Sequence, residues 1–152
     1  MVIDISKEGV WMIDIENKVL SIVRAAVITE FPSASVYGEY VEVPESFPCV
    51  TVTEDTNYTY VYSKDAEPME HHAEVMYAIN VYSNKQSGAK LAAKKILNLA
   101  DTAMQTNGFW RTMTRQVPNV DRTVYRLIAR YRAVVESPKE SGNDLVYTIY
   151  QK

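Results

Sequence analysis

The chain has 152 residues, of which 47% are hydrophobic and 23% are charged, and its formal net charge is −3 at pH 7. This size predicts one folded domain spanning residues 1–152, with a core that needs neither disulfides nor a structural metal. The single cysteine, Cys49, excludes an intramolecular disulfide and the cysteine clusters of zinc or iron–sulfur sites. No apolar run approaches the ~20 residues of a membrane helix, and the amino terminus lacks a secretory pattern, so we expect no membrane association.

Charge is distributed unevenly along the sequence. Residues 1–84 hold 14 acidic and 4 basic residues, a net charge of −10, whereas residues 85–152 hold 5 acidic and 12 basic residues, a net charge of +7. Segregated charge is typical of complementary surfaces, either within one fold or between neighbouring copies. The alternative is that the two sequence halves do not form separate surfaces and that the charges are simply solvated.

The first predicted element is a helix. Apolar residues recur every three or four positions over 15–31, Asp14 is a candidate N-cap, and Pro32 cannot continue the helix. Residues 32–47 are rich in proline, serine and glutamate and predict a loop with a short extended piece near 37–43.

Two strands of a hairpin are predicted next. The alternating β-branched run at 47–53 indicates a strand, the polar residues 54–57 indicate a turn, and the tyrosine-rich residues 58–62 indicate the return strand. Residues 63–70, with a proline and several charges, predict a loop.

Alternation is clearest over 72–83, where every odd position from Ala73 to Val81 is apolar, so one face of this strand should meet a core. A helix capped by Ser87 is predicted to run to Thr106, where Asn107-Gly108 ends it. Its lysines face solvent: Lys90, Lys94 and Lys95. Its expected buried line is Leu91 or Ala92, Ile96, Leu99 or Ala100, and Ala103.

The last third of the chain predicts a long hairpin and a final strand. Runs rich in threonine, tyrosine, valine and arginine indicate strands at 109–117 and 122–136, joined by a turn at 118–121. A second turn at 137–143 should precede a strand at 145–150. Because the elements do not alternate regularly, the order favours an α+β fold, with a mainly antiparallel β-sheet and two main helices packed on one face.

Catalytic and metal-binding signals are weak. His71 and His72 lie beside Glu70 and Glu74, but adjacent residues at a strand point to opposite faces and no second ligand cluster exists. Cys49 lies within an apolar strand, where a thiol behaves as a small hydrophobe. The sequence contains no nucleophile elbow, phosphate loop or dinucleotide fingerprint. We therefore predict that the protein is not an enzyme and carries no cofactor.

The strongest candidate site is a stripe of arginines in the predicted strand 122–136. The odd positions of this strand carry most of its apolar and aromatic residues, so the arginines at even positions should stand on the other face. The candidate residues are Arg122, Arg126, Arg130 and Arg132. A guanidinium fork binds carboxylate or phosphate, so the stripe predicts docking on an acidic surface or on nucleic acid, with simple solvation as the alternative. Arg111 and Arg115 in the preceding strand would extend the patch if the hairpin register allows.

Four stretches carry a resemblance to a known family. They are Ile79-Asn80-Val81-Tyr82-Ser83-Asn84, the lysine- and alanine-rich helix through Asp101–Met104, Asn107-Gly108-Phe109 and Val117-Pro118-Asn119-Val120-Asp121-Arg122-Thr123-Val124-Tyr125-Arg126. They resemble the tail terminator proteins of tailed bacteriophages and phage-tail-like particles, also called tail completion, minor capsid or neck proteins. The resemblance covers residues 72–136 and adds the strand at 47–52. These motifs are structural and not catalytic, so they speak to fold and assembly.

The resemblance implies a small α+β subunit of a virion tail or neck, made in the bacterial host cytoplasm. Such a subunit closes into a hexameric ring on the end of the tail tube, stops tube polymerisation and offers its other face to a head–tail connector or stopper protein. A closed ring needs two different complementary patches on each subunit, which the unequal charge of the two halves is suited to supply. Residues 58–70 and the chain after Ser137 depart from the family pattern, and the kind of tail stays open.

Two alternatives remain at this stage. One is another neck component, a stopper or an adaptor. The other is a nucleic-acid-binding module that uses the arginine stripe, with Tyr125, Tyr131 or Trp110 as stacking partners. The overall acidity of the chain argues against the second alternative, although a stripe lining a lumen would lie near passing DNA without binding it specifically.

Overall fold

The structure, a computed structural model, describes residues 12–59, 72–141 and 144–150. Its two helices are α1 (Glu16–Glu30) and α2 (Ala89–Thr106), and its six strands are β1 (Ser35–Tyr37), β2 (Cys49–Thr59), β3 (His72–Ser83), β4 (Trp110–Val117), β5 (Tyr125–Ser141) and β6 (Asp144–Tyr150). Among these residues, no helix has both the length and the apolar character needed to cross a membrane.

The strands form one sheet in the order β1-β2-β3-β5-β4. The short edge strand β1 pairs with β2 in parallel, and every other pair is antiparallel. β6 pairs with the far end of β5, beyond the part that β4 covers, so both lie along the edge of β5 that faces away from β3. The predicted α+β class with a mainly antiparallel sheet is confirmed.

Both helices pack on the same face of the sheet. α1 lies over β1 and β2, α2 lies over β3, β5 and β4, and the two helices contact each other. The predicted alternation is confirmed, because the odd residues of β3 and β5 supply the core together with one stripe of each helix. The helix residues buried in it are Val19, Val23, Val27, Ala93, Ile96, Leu97, Ala100 and Met104.

A buried polar cluster fastens α2 to the sheet. The hydroxyl of Tyr131 on β5 donates a hydrogen bond to Asp101 Oδ1 on α2 at 2.7 Å, and Arg111 Nη1 on β4 donates to the same oxygen at 3.0 Å. Because Tyr131 is fully buried, its hydroxyl would otherwise lack a partner, at a cost of roughly 1–3 kcal/mol. One carboxylate thus ties a helix to two strands.

The ends of the helices differ from prediction in detail. Asp14 Oδ1 accepts a hydrogen bond from the Glu16 amide at 3.0 Å, although the N-cap residue itself is Ile15. The predicted cap at Ser87 is wrong, since α2 begins after Gly88, which has a φ of 81°. The predicted end at Asn107-Gly108 is confirmed.

The predicted buried line of α2 is wrong in part. Ile96 and Ala100 are buried as expected, but Leu91 is 58% exposed and Ala93 takes its place in the core. The two residues differ by about 200° around the helix axis, so they cannot share one buried stripe. Leu91 therefore lies on the same side of α2 as its lysines.

The predicted turn at 54–57 is also wrong. β2 continues to Thr59 through a β-bulge between Glu54 and Thr56. Two long-range hydrogen bonds hold this polar stretch in the sheet: the Tyr77 hydroxyl donates to Glu54 Oε2 at 2.9 Å, and Asn57 Nδ2 donates to the Ile13 carbonyl at 2.7 Å. Asp55 points away from the core, in line with Thr51 and Thr53. The rest of the predicted return strand lies outside the described residues.

The boundaries of β5 are displaced from prediction at both ends. Asp121 Oδ1 accepts hydrogen bonds from the amide and hydroxyl of Thr123, which forms a turn and delays the start of the strand to Tyr125. The strand then runs to Ser141, so residues 137–141 of the predicted turn belong to the strand, and residues 142–143 lie outside the described part of the chain. Pairing with β6 carries β5 through this proline-containing stretch.

Gly108 allows a test of how tightly α2 and β6 pack. It has a φ of 91°, and a β-carbon there would lie 2.8 Å from Ile149 Cγ2, whereas Gly88 has a similar φ with open space around it. We expect Gly88→Ala to lower the free energy of unfolding by about 1–2 kcal/mol, the cost of left-handed backbone. Gly108→Ala should cost a further ~1–3 kcal/mol from overlap. Urea denaturation measures both values, and equal losses would contradict the packing of Ile149 on this turn.

Candidate interaction surface

The sheet face opposite the helices carries the predicted arginine stripe. Arg126, Arg130 and Arg132 point outward from β5, alternating with core residues, so their predicted face is confirmed. Arg122 does not belong to this stripe, because it lies exposed in the turn that Asp121 and Thr123 form before the strand. The structure thus brings three of the four candidate arginines together.

Arg126 is held by side chains of the same subunit. It lies at the end of the arginine face that is next to the end of β3. Its Nε and Nη2 donate to Asn80 Oδ1 at 3.1 and 2.9 Å, and its guanidinium lies 5.2 Å from the ring centre of Tyr82. Asn80 is buried in the middle of β3, so the arginine satisfies an amide oxygen that water barely reaches. This pair uses two of the five N–H donors of the guanidinium.

The other two arginines form ion pairs across strands. Arg130 Nε lies 2.8 Å from Asp55 Oδ2, a carboxylate that the alternation along β2 places on this face. Arg132 pairs with Glu74 on β3 and lies 5.6 Å from the ring centre of Trp110 on β4. The four paired side chains are only about a third exposed, so the pairs are partly shielded from salt.

The predicted extension onto β4 holds for one arginine only. A register shift between Arg111 and Met113 places Arg111 beside Tyr131, on the helix side, where it pairs with Asp101. Arg115 lies opposite Ile128 on the arginine face and is exposed. Sequence parity alone places both residues on one face, because it contains no signal for the bulge.

These pairs neutralise part of the surface. Of its four arginines, Arg130 and Arg132 are balanced by Asp55 and Glu74, whereas Arg126 binds an uncharged amide and Arg115 lies exposed. Sequence reasoning considered Glu74 only beside the histidines and placed Asp55 in a turn. Both face outward by strand alternation, Glu74 from its even position in β3 and Asp55 from its odd position in β2. Phosphate-backbone binding relies on several uncompensated cations, so this face is poorly suited to it. The remaining guanidinium donors favour a protein surface that presents carboxylate or carbonyl oxygens.

The proposed stacking partners also bear on the nucleic-acid alternative. Tyr131 is fully buried in the core and Tyr125 packs partly against it, so neither lies on the arginine face. Trp110 does lie there, under Arg132. A single aromatic ring already covered by an arginine is a poor platform for successive bases.

Cys49 is a core residue, as predicted. It is fully buried with Tyr82 and Val124, and this burial raises the pKa of its thiol to about 11. In the described part of the chain, no three histidine, cysteine or acidic side chains lie close enough to hold a metal ion. The histidine cluster considered above as a metal site is only partly described. His72 and Glu74 lie on the outer face of β3, and Glu70 and His71 lie outside the described residues.

No protein-family model and no curated protein matches this sequence. Among solved structures, the chain is similar to a chain of the structure described as "Virion of native gene transfer agent (GTA) particle", with a TM-score of 0.59 and 19% sequence identity. The similarity covers 80% of this chain and 93% of that one. At this identity the likeness establishes a shared fold.

The ion pair between Arg130 and Asp55 should contribute modestly to stability. In a double-mutant cycle with alanine at both positions, we expect a coupling energy of about 0.5–1 kcal/mol that decreases as salt is added. The matched control combines Asp55→Ala with Arg115→Ala, which share no ion pair and should be additive. Both cycles are measured by urea denaturation. Equal coupling energies in the two cycles would contradict the ion pair between Arg130 and Asp55.

Burial of Cys49 predicts slow thiol chemistry. At pH 8 a thiol with a pKa of about 11 is almost entirely protonated, and the reagent must also reach the core. We expect the native protein to react with a thiol-specific disulfide reagent at least about 100-fold more slowly than the urea-unfolded chain. Equal reaction rates in the native and unfolded protein would show that the reagent reaches Cys49 freely and would contradict its burial.

Proposed function

We propose that this chain is a structural subunit of a phage-type particle that forms a ring, most simply a hexamer, on the end of the tail tube. In this role it terminates tube polymerisation and presents an interface for the head–tail connector or stopper protein. The observation that carries the proposal is the fold shared with a chain of a gene transfer agent virion. The motifs at 79–84, 107–109 and 117–126 point to the same class of protein.

The arginine face fits a role in protein docking. Intramolecular partners hold Arg126, Arg130 and Arg132 in fixed positions, yet these contacts use only one or two of the five N–H donors of each guanidinium. Side chains fixed before binding lose little conformational entropy on docking, which favours affinity. We infer that this face contacts a neighbouring virion protein, and that the protein acts through such surfaces without catalysis or a cofactor.

The first test is negative-stain microscopy with light scattering, on the protein alone and mixed with its cognate tail-tube protein. We expect rings, or tubes of limited length capped at one end. A protein that leaves tube growth unchanged but binds the portal side would be a stopper or adaptor. Binding to DNA that weakens steeply with salt would instead indicate a nucleic-acid module, and either result would overturn the proposal.

Single alanine variants test the arginine face. Arg126→Ala and Arg130→Ala should each weaken binding to the tube or connector protein about 10-fold, since buried interface arginines commonly contribute more than 1 kcal/mol. Arg122→Ala, in the exposed turn outside the face, is the control and should change affinity less than about 2-fold. Binding is measured by surface plasmon resonance, with thermal melts to confirm folding. Equal effects at all three positions would remove the face from the interface.

A further inference from the structure

An acidic segment with exposed apolar side chains borders the sheet at β1. Residues 37–45 expose Glu39, Glu42 and Glu45, and they also expose Tyr40 (68%) and Val43 (77%). The chain has no lysine or arginine between residues 25 and 63. The nearest cation in sequence is Arg24, whose Nη2 instead donates to the Val36 carbonyl at 2.9 Å. We call residues 37–45 the acidic segment.

This segment is held in place on both sides of the sheet edge. A side chain at Gly38 would meet Leu20 of α1 at 3.0 Å, and the Val41 carbonyl accepts a hydrogen bond from the Tyr82 hydroxyl at 3.5 Å on the opposite face. A groove of about 570 Å³ opens between the segment and α1, and Glu16, Glu39, Tyr37 and Tyr40 are among the residues that line it. Arg24 also lines the groove, with its guanidinium bound to the Val36 carbonyl. The groove therefore combines two carboxylates and one cation with aromatic surface.

A basic surface with one exposed leucine lies on α2. Lys90, Lys94 and Lys95 are exposed on the first two turns, and Leu91 lies among them, 58% exposed. We call these four residues the basic helix face. The first turn of α2 has no acidic residue, so the lysines add to the positive end of the helix dipole instead of opposing it. Within an isolated subunit this arrangement is electrostatically unfavourable, and an acidic partner would relieve it.

The fold places these two surfaces on opposite sides of the subunit at the same height. The acidic segment follows β1, at one edge of the sheet, whereas α2 lies over the half of the sheet that ends in β4. β1 pairs with the start of β2, which lies opposite the end of β3, and α2 begins six residues after that end. If copies are placed side by side, the acidic segment of one copy therefore meets the basic helix face of the next without a shift along the ring axis. A closed ring requires contacts with no such shift.

We propose that the acidic segment of one copy docks on the basic helix face of a second copy. In this contact Leu91 packs among Tyr37 and Tyr40 of the groove, and the lysines around it face Glu16 and Glu39. The contact is heterologous, so each subunit uses both surfaces and the assembly propagates in one direction around a ring. Closure of the contacts into a ring rests on the proposed function. The contact between the acidic segment and the basic helix face is argued from these two surfaces alone.

Complementary charge reversal tests the contact directly in the full-length protein. Lys90→Glu/Lys94→Glu and Glu39→Lys/Glu42→Lys should each weaken self-association about 10- to 100-fold, because each places like charges across the contact. Mixed one to one, the two variants should associate again as alternating copies, since every contact then joins opposite charges. The measurement is sedimentation velocity over a range of concentrations at low and physiological salt. Arg122→Glu, in the exposed turn outside both surfaces and outside the arginine face, is the control and should leave association unchanged.

Disulfide trapping keeps the test decisive if association is weak. A Tyr40→Cys chain mixed with a Leu91→Cys chain should form a crosslinked heterodimer at least about 10-fold faster than either chain forms a homodimer. The buried Cys49 should not compete. A heterodimer yield no higher than the homodimer yields, or mixing that fails to restore association, would overturn the proposed contact. If both variants still cap tubes, the contact is wrong while the proposed function stands; if the wild type caps none, the function fails on its own evidence.

Discussion

The pairing of β3 with β5 is the constraint on which the rest of the molecule depends. Twelve residue pairs run in register from His72 opposite Glu136 to Ser83 opposite Tyr125. Because side chains alternate along both strands, this one register sends the apolar odd residues to the helices and the polar even residues to the opposite face. A shift of the register by one residue would bury the arginines and expose the core residues. Burial of the apolar residues therefore determines which side chains lie on each face of the sheet.

The same register builds the arginine face. It sets Arg126 diagonally beside Asn80 and brings Arg132 within reach of Glu74, while Asp55 on β2 reaches across β3 to Arg130. The result is a face on which three arginines are held by their own neighbours. Such a surface has little long-range attraction for a polyanion, but it keeps directional donors for a protein partner. This balance is why the geometry favours assembly over nucleic-acid recognition.

Among the described residues, part of the division of charge along the sequence becomes a division in space. α1, β1, β2 and the acidic segment form one side of this part of the molecule, and α2, β4, β5 and β6 form the other, with β3 between them. The carboxylates of the acidic segment and the lysines of α2 therefore lie on different sides. A subunit with oppositely charged sides is suited to contact its own copies head to tail.

Much of this arrangement follows from patterns in the sequence. The strict alternation over 72–83 predicts β3 and its core face, and Asn107-Gly108 predicts the end of α2, because both signals are local. The failures are non-local. The composition of 54–57 suggests a turn, but partners distant in sequence, Tyr77 and Ile13, keep it in the sheet. Likewise the register shift in β4, which places Arg111 on the opposite face from Arg115, leaves no periodic signal. The arginine stripe was thus predictable, and its pairing was not.

The central claim is that this chain closes the end of a tail tube as a ring of identical subunits. Electron cryomicroscopy of particles purified from the cells that produce the protein tests it most directly, with the chain located in the map by its fold. The account predicts one ring of this chain between the last layer of the tube and the head connector, with neighbouring copies touching through opposite sides. A map that places the chain elsewhere in the particle, or particles that lack it, would contradict the account.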